Sequence, residues 1–515
     1  MKYIRVFPNS TEFNEAYSWR KYIEPWLSVT TGELIIKYNK KEEDVYNELK
    51  ATPLTFIITS SGTVSFGPGY PDETAYRTIE YKLNDGEWTE YTSTYNGQKI
   101  NVQTGDIISF RGDNTSNASN DGNFSNSFVT TCNFTPIGNI MSMMDSTNFA
   151  NLTTITGTRT FQGLFSSCTR MTDASQIILP ATTLSPYCYR YLFQRCTGLT
   201  KFPKLPATTM ASYCYSGMFS GCTGMTETPL LPATTLAEDC YYSMFSGCTG
   251  LTTPPILPAQ TLTNYCYSDM FKGCTGLTTA PVLPVMTLAT GCYHYMLSGC
   301  TGLTTPPELP ATTLANSCYG FMFQNCTGLT TAPVLPARTM ASSCYSMMFQ
   351  NCTGLTTPPE LPATTLANYC YREMFAGCTN LASAPVLPAR TLNDYCYTVM
   401  FKNCTSLTSA PELPATTMKT SCYNSMFIGC TGLTAAPVLP ATTLASYCYN
   451  YMFQGCSNLS YIKAMFTTTP SNSYANSWVD GVAASGTFVK NSAAQWNVTG
   501  TNGVPSGWTV QTASE

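Results

Sequence analysis

The chain is 515 residues long, with 26 basic and 30 acidic residues, a net charge of −4 and only 11% charged residues, against about 25% in an ordinary soluble protein. Without a basic cluster it lacks the electrostatic footprint of a phosphate-backbone binder, so no nucleic-acid partner is expected. No apolar run nears the ~20 residues of a membrane span, so no membrane insertion is expected either.

Residues 1–50 hold 8 basic and 8 acidic residues, far above the density elsewhere. The start, Met-Lys-Tyr-Ile-Arg-Val-Phe-Pro-Asn-Ser, turns polar before a secretory core could form, so synthesis is expected to end in a cytoplasm. A strand at Tyr3–Phe7, an N-capped helix from Ser10 and a strand at Leu34–Tyr38 are expected. With Trp19, Trp26 and the Lys40-Lys-Glu-Glu-Asp run, this segment reads as a small α+β module that anchors or docks the chain.

Residues 51–138 alternate with a two-residue period, as at Ile79, Tyr81 and Leu83. Asn84-Asp85-Gly86 marks a hairpin turn before Trp88, and Ile100 with Val102 and Ile107 with Phe110 continue the pattern. An antiparallel β-domain is expected, with a long loop from Asp113 to Ser127. Residues 139–178, with Phe149, Leu152, Ile155, Phe161, Phe165, Cys168 and Met171, read as degenerate repeats that cap the regular array.

From 179 to 464 the pair Leu-Pro recurs every 26 residues, from Leu179 to Leu439, in eleven copies without a slip. Such a period means a stacked array. In each copy the spacing of Cys448, Tyr449, Met452 and Phe453 places them on one stripe of a short helix, with Tyr447, Asn450, Tyr451 and Gln454 opposite. The first stripe hardly changes between copies and is the expected core ladder, together with Cys456. The second varies freely. Gly or Asn precedes the second cysteine in all copies but one, where Arg195 stands, and suits a left-handed helix end. About three residues of parallel strand per copy are expected in the segment Thr-Thr-Ala-Pro-Val-Leu-Pro, whose prolines limit the ladder. Strands stack about 4.8 Å apart and helices pack about 8–10 Å apart, so the array should curve with the strands inside. Residues 465–515, Gly/Asn/Ser-rich but carrying Trp478, Trp496 and Trp508, read as the closing cap.

The skeleton of Leu-Pro, Leu444, Met452-Phe453, Cys456 and Leu459 resembles BspA-like leucine-rich repeats, with about three extra residues per copy. The resemblance covers roughly residues 140–465. It implies a non-enzymatic, surface-exposed recognition array, and the fold expected is a curved, right-handed α/β solenoid. The phrases Tyr-Ile-Glu-Pro-Trp-Leu-Ser-Val and Gly-Val-Pro-Ser-Gly-Trp-Thr-Val near the two ends are similar to the ends of proteins encoded by gut Bacteroidales-type bacteria and their phages.

The chemistry-bearing residues favour the same view. Of the 24 cysteines, 22 lie in the repeats as Cys-x7-Cys. That spacing, with one histidine in the chain, does not make a zinc site. Eight largely helical residues separate their ends by ~10–12 Å, beyond the ~7 Å limit for a disulfide. A ladder of buried thiols is expected. His294 stands beside Tyr295, and Cys292 should point away from it, so no Cys-His catalytic pair is expected. Glu308, Glu360 and Glu412 share one slot in alternate copies, about 10 Å apart, just outside the ~6.5–9.5 Å window of an inverting glycosidase pair. They read as a solubilising stripe.

The candidate ligand-binding stripe is Tyr187, Tyr191, Tyr213, Tyr242, Tyr265, His294, Tyr295, Phe321, Tyr369, Tyr395, Tyr447 and Tyr451, aromatics with small polar neighbours. These tyrosines could instead only pad the rim between helices. No catalytic group, metal or cofactor is expected. The expected function is attachment: a phage virion fibre or receptor-binding protein that joins other virion proteins through residues 1–50 and meets a host surface glycan or outer-membrane protein. A homo-oligomer is compatible with this. A bacterial cell-surface adhesin is the alternative, and a polysaccharide depolymerase is disfavoured for want of an asymmetric carboxylate pair.

Overall fold

The computed structural model describes residues 3–5, 26–30, 33–35, 42–68, 78–92, 98–113 and 126–513, and the chain divides into two units, 1–208 and 209–515. In the first unit β1 (Tyr3–Arg5), β2 (Trp26–Thr30) and β3 (Glu33–Ile35) form an antiparallel sheet in that order. Two of these strands overlap the expected ones, β3 starting one residue earlier and ending sooner. The helix expected from Ser10 lies outside the described residues. Sequence reading missed a helix, α1 (Glu42–Lys50), in the charged run, where three acidic residues in the first turn and Lys50 in the last suit the helix dipole.

Next come β4 (Leu54–Ile58), β5 (Gly62–Pro68), β6 (Thr78–Leu83), β7 (Thr89–Thr92), β8 (Ile100–Val102), β9 (Ile107–Arg111), β10 (Asn126–Thr130), β11 (Phe134–Asn139) and β12 (Gln176–Ile178). They make a six-stranded sheet, β12-β11-β4-β9-β6-β7, and a three-stranded one, β10-β5-β8. Asn84, at φ 54°, and the Gly86 N–H bonded to Leu83 O turn the chain between β6 and β7. Of the expected loop, residues 114–125 lie outside the described ones.

Phe56 centres the core between the sheets, with ring centroids of Phe110, Phe128 and Phe134 4.5–5.0 Å away. Phe128 stacks on Phe165, and Phe165 on Phe193. The β-layer therefore covers the apolar end of the first coils, as a stacked array requires, and β12 extends its sheet in parallel with β11.

Within the repeats the expected short helix is absent. From Tyr369 to Gly377 the backbone runs through successive turns whose N–H groups alternate in direction. Arg372 N donates to Tyr369 O and Met374 N to Tyr371 O, within the same coil. Tyr371, Glu373, Phe375 and Gly377 instead donate to Cys396, Thr398, Met400 and Lys402 of the next coil. The φ angle is positive at every fourth residue, 58° at Tyr369, 55° at Glu373 and 78° at Gly377, which no α-helix tolerates. Each coil thus bonds the next directly, through a ribbon of turns.

The expected three-residue strands shrink to single parallel bridges, and most of these sit elsewhere, at the last threonine of Ala-Thr-Thr or Ala-Arg-Thr, as in the column Thr339, Thr365, Thr391 and Thr417. The proline-broken segment supplies too few donors for more. Equivalent rings stack at short range, 5.7 Å for both Tyr371–Tyr397 and Phe375–Phe401. That step replaces the wider helix spacing from which curvature was expected.

All 24 cysteines are free and buried, the expected thiol ladder. The second cysteine of a coil does more than fill space: Cys378 Sγ donates to Phe349 O at 3.0 Å, and Cys404 Sγ to Phe375 O at 3.1 Å, one coil back. Cys448, Tyr449, Met452, Phe453 and Cys456 are fully buried.

Val399 is the least suited of the residues at positive φ, because a β-branched side chain crowds the backbone at its φ of 60°. Its slot is glycine in another coil, Gly217, also at positive φ. Val399→Gly should raise stability by about 1 kcal/mol, since left-handed backbone costs a non-glycine residue about 1–2 kcal/mol. Chemical denaturation checks this, and a loss of stability would contradict it.

At the C-terminal end β13 (Tyr461–Ala464), β14 (Thr487–Lys490) and β15 (Thr509–Thr512) pair in parallel, with one turn of helix, α2 (Asn472–Ala475), between the first two. Trp478, Trp496 and Trp508 are buried, and their indole N–H groups donate to Gly503, Phe466 and Ala483 carbonyls.

Candidate recognition surface

The turn ribbon sets which side chains face outward. Its four-residue rhythm sends Cys448, Tyr449, Met452 and Phe453 inward, while Tyr447 and Tyr451, at φ 58° and 57°, are carried outward. The variable stripe is therefore built on left-handed backbone, a feature that its Tyr, Ser, Asp and Val residues do not announce.

The richest patch lies in the second unit. Tyr295 and Phe321 stack with centroids 4.2 Å apart and planes at 19°. His294 stands edge-on to both, at 4.5 and 5.3 Å. Lys272 Nζ lies 4.3 Å from the Tyr295 ring centre and 2.9 Å from Asp269 Oδ1. Ser268 Oγ donates to Asp269 Oδ2 and is also within bonding reach of His294 O. Burial pushes the His294 imidazole below its ordinary range, with Asp269 opposing and Lys272 adding to the shift, so the ring is held neutral. Burial also raises the Tyr295 phenol, which stays protonated. Gly291 leaves room for the Tyr265 ring, which a Cβ at this position would displace.

Further along, Tyr369 and Tyr395 stack at 4.7 Å. A polar file of Gln324, Gln350 and Glu373 links three coils at 2.6 and 2.8 Å, and Arg372 pairs with Glu373 at 2.8 Å. Tyr447 is 49% exposed, and Asn476 Nδ2 donates to Tyr451 Oη. In the first unit Arg190 lies 4.5 Å from the Tyr191 ring and Arg159 4.5 Å from that of Tyr187. Tyr213 and Tyr242 are half-buried in the second unit.

Thus His294, Tyr295 and Phe321 are brought together, as are Tyr369 with Tyr395. Asp269, Lys272, Arg190, Gln350, Arg372 and Glu373 are polar members that a search for aromatics overlooked. Charges in the same variable slots were the signal for all of them except Gln350. No group of three or more metal-ligating residues is found among the described residues.

A family model described as BspA type leucine rich repeat region (6 copies) matches residues 163–304, 293–434 and 369–488, together more than half of the chain. The chain belongs to the BspA type leucine-rich repeat family. This protein of the BspA type therefore carries its aromatic patch on the turn ribbon of a solenoid-like repeat array. No curated protein matches the chain.

Proposed function

We propose that this BspA-type protein is a non-enzymatic recognition and attachment protein that binds a ligand on a bacterial surface through the aromatic stripe of its turn ribbon. The carrying observation is the Tyr295–Phe321 stack with His294, Lys272 and Asp269 around it, a cluster of packed aromatic rings with polar groups held beside it. A glycan suits such a cluster, its C–H groups lying against the rings and its hydroxyls meeting the polar groups that fix orientation. Family membership fits a surface adhesin or recognition role. The phage-virion setting, with residues 1–50 joining other virion proteins, rests on the similarity of the two chain ends described above, and a bacterial cell-surface adhesin is the alternative.

Fluorescently labelled protein should bind intact gut Bacteroidales-type cells, and Tyr295→Ala with Phe321→Ala should weaken that binding about tenfold or more, as about 1.4 kcal/mol implies. Thermal melting of the variant should match the parent within a few degrees. Binding that ignores both substitutions would overturn the assignment of the site. Mass spectrometry of purified virions and of cell envelopes separates the two settings.

A further inference from the structure

The face opposite in chemistry to the aromatic stripe is the proline-broken segment of the second unit. In Pro255-Ile256-Leu257-Pro258-Ala259-Gln260 the backbone alternates, with Pro255, Leu257 and Ala259 buried and Ile256 and Gln260 outward. The first outward slot holds Leu230, Ile256 and Val282 in three successive coils, 83%, 80% and 79% exposed, with Met286 beside them. Single exposed aliphatics are ordinary, but a row of them in contiguous coils marks a contact surface.

From the fourth coil of this unit the slot alternates: Glu308, Val334, Glu360, Val386, Glu412, Val438. Four residues further on, the two valine coils at 334 and 386 carry Arg338 and Arg390, while the glutamate coils carry threonine. All these charges are exposed, and among the described residues no ion pair joins them to a neighbour. A stripe kept only for solubility would not leave Val334 and Val386 78% and 77% exposed between the acids.

We propose that this face docks a second copy of the same chain, antiparallel, about a two-fold axis between the coils of Glu360 and Val386. In that register Glu360 meets the Val386–Arg390 coil of the other copy, Glu412 meets the Val334–Arg338 coil, and Glu308 meets Val438. Each of the first two carboxylates then lies over an aliphatic side chain with a guanidinium in reach. A shift by one coil sets glutamate against glutamate, so the alternation rejects every odd shift of register. The aliphatic slots of Val282, Ile256 and Leu230 run on over the strands β13, β14 and β15, which continue the stack in parallel beyond Val438. The interface is isologous. Nine coils and these three strands at about 4.8 Å each give a strip of about 50 Å. A width of about 12 Å then buries roughly 1,200 Å² in total, at the lower end of specific interfaces. A dimer of about micromolar affinity is expected.

Sedimentation velocity of the full chain from about 1 to 200 µM tests this. The parent should shift from monomer to dimer. Glu308→Lys/Glu360→Lys/Glu412→Lys should stay monomeric, as should Arg338→Glu/Arg390→Glu, and an equimolar mixture of the two should recover the dimer. Because recovery requires both variants to be folded, it separates a lost interface from a lost fold. A parent that is monomeric throughout, a dimer indifferent to both charge reversals, or folded variants that fail to associate when mixed would each overturn the proposal.

Discussion

Between pH 9 and pH 10.5 the repeat array should unfold steeply, well before an ordinary protein would, and its 22 thiols should become reactive in the same interval. The cause is the ladder of buried cysteines. Desolvation raises Cys248, Cys326, Cys370, Cys378 and Cys456 to about 12, and raises Cys300, Cys352 and Cys404 well above the ordinary thiol value, where neighbouring thiols in the column add to the effect. The fold therefore keeps these protons while the unfolded chain gives them up. Their contribution to stability is whole below about pH 8.5, the range of a free thiol, and drains as the pH rises towards 12. Each group costs about 1.4 kcal/mol per pH unit above the unfolded value, so even four thiols remove about 5 kcal/mol per unit, comparable with the whole stability of many domains. The buried tyrosine column, raised above its ordinary value mainly by desolvation, steepens the loss above pH 10. Circular dichroism and thiol labelling along the same pH series check this. Native protein at pH 8 should show almost no reactive thiol, and a fold unchanged at pH 11 would refute the ladder as a store of protons.

Trp478→Ala should cost about 3–5 kcal/mol, the usual range for emptying a buried aromatic site. The indole is fully buried, with Tyr449, Phe453, Phe466 and Phe488 rings all within 5.9–6.4 Å, and it anchors itself on Gly503 O. Removing it opens the apolar cross-section of the last coils. In an array whose stability is a sum of neighbour contacts, the damage should spread from that end. Hydrogen exchange should show coils near 425–456 losing protection first and those near 240–270 later. Uniform loss along the array would mean that the coils unfold as one block, and unchanged stability would mean that Trp478 is not the cap.

The repeat was legible in the chain before any coordinate. The unbroken return of Leu-Pro, an inward Cys-Tyr-x-x-Met-Phe motif and a free outer stripe follow from spacing alone, and they led to the family, the thiol ladder and the outward position of Tyr295 and Phe321. The hairpin at Asn84-Asp85-Gly86 was equally legible, because its turn chemistry is local. How each motif is bent was settled only by the stacking of coils. A helix repeats about every 3.6 residues and the turn ribbon every four, and over one short motif the two periods drift apart by so little that both bury the same side chains. Glycine at Gly377 or Gly455 hinted at left-handed backbone, but at Tyr369 and Glu373 the same conformation is imposed by hydrogen bonds to the next coil. Those bonds reach nearly a full repeat along the chain, outside any local window. For the same reason the partnership of Lys272 with Tyr295 and the file of Gln324, Gln350 and Glu373 were invisible in the chain. They exist because stacking, at 5.7 Å between equivalent rings, brings the same slots of successive coils side by side, and a side chain's neighbour one coil away is set by the stack, not by the sequence around it.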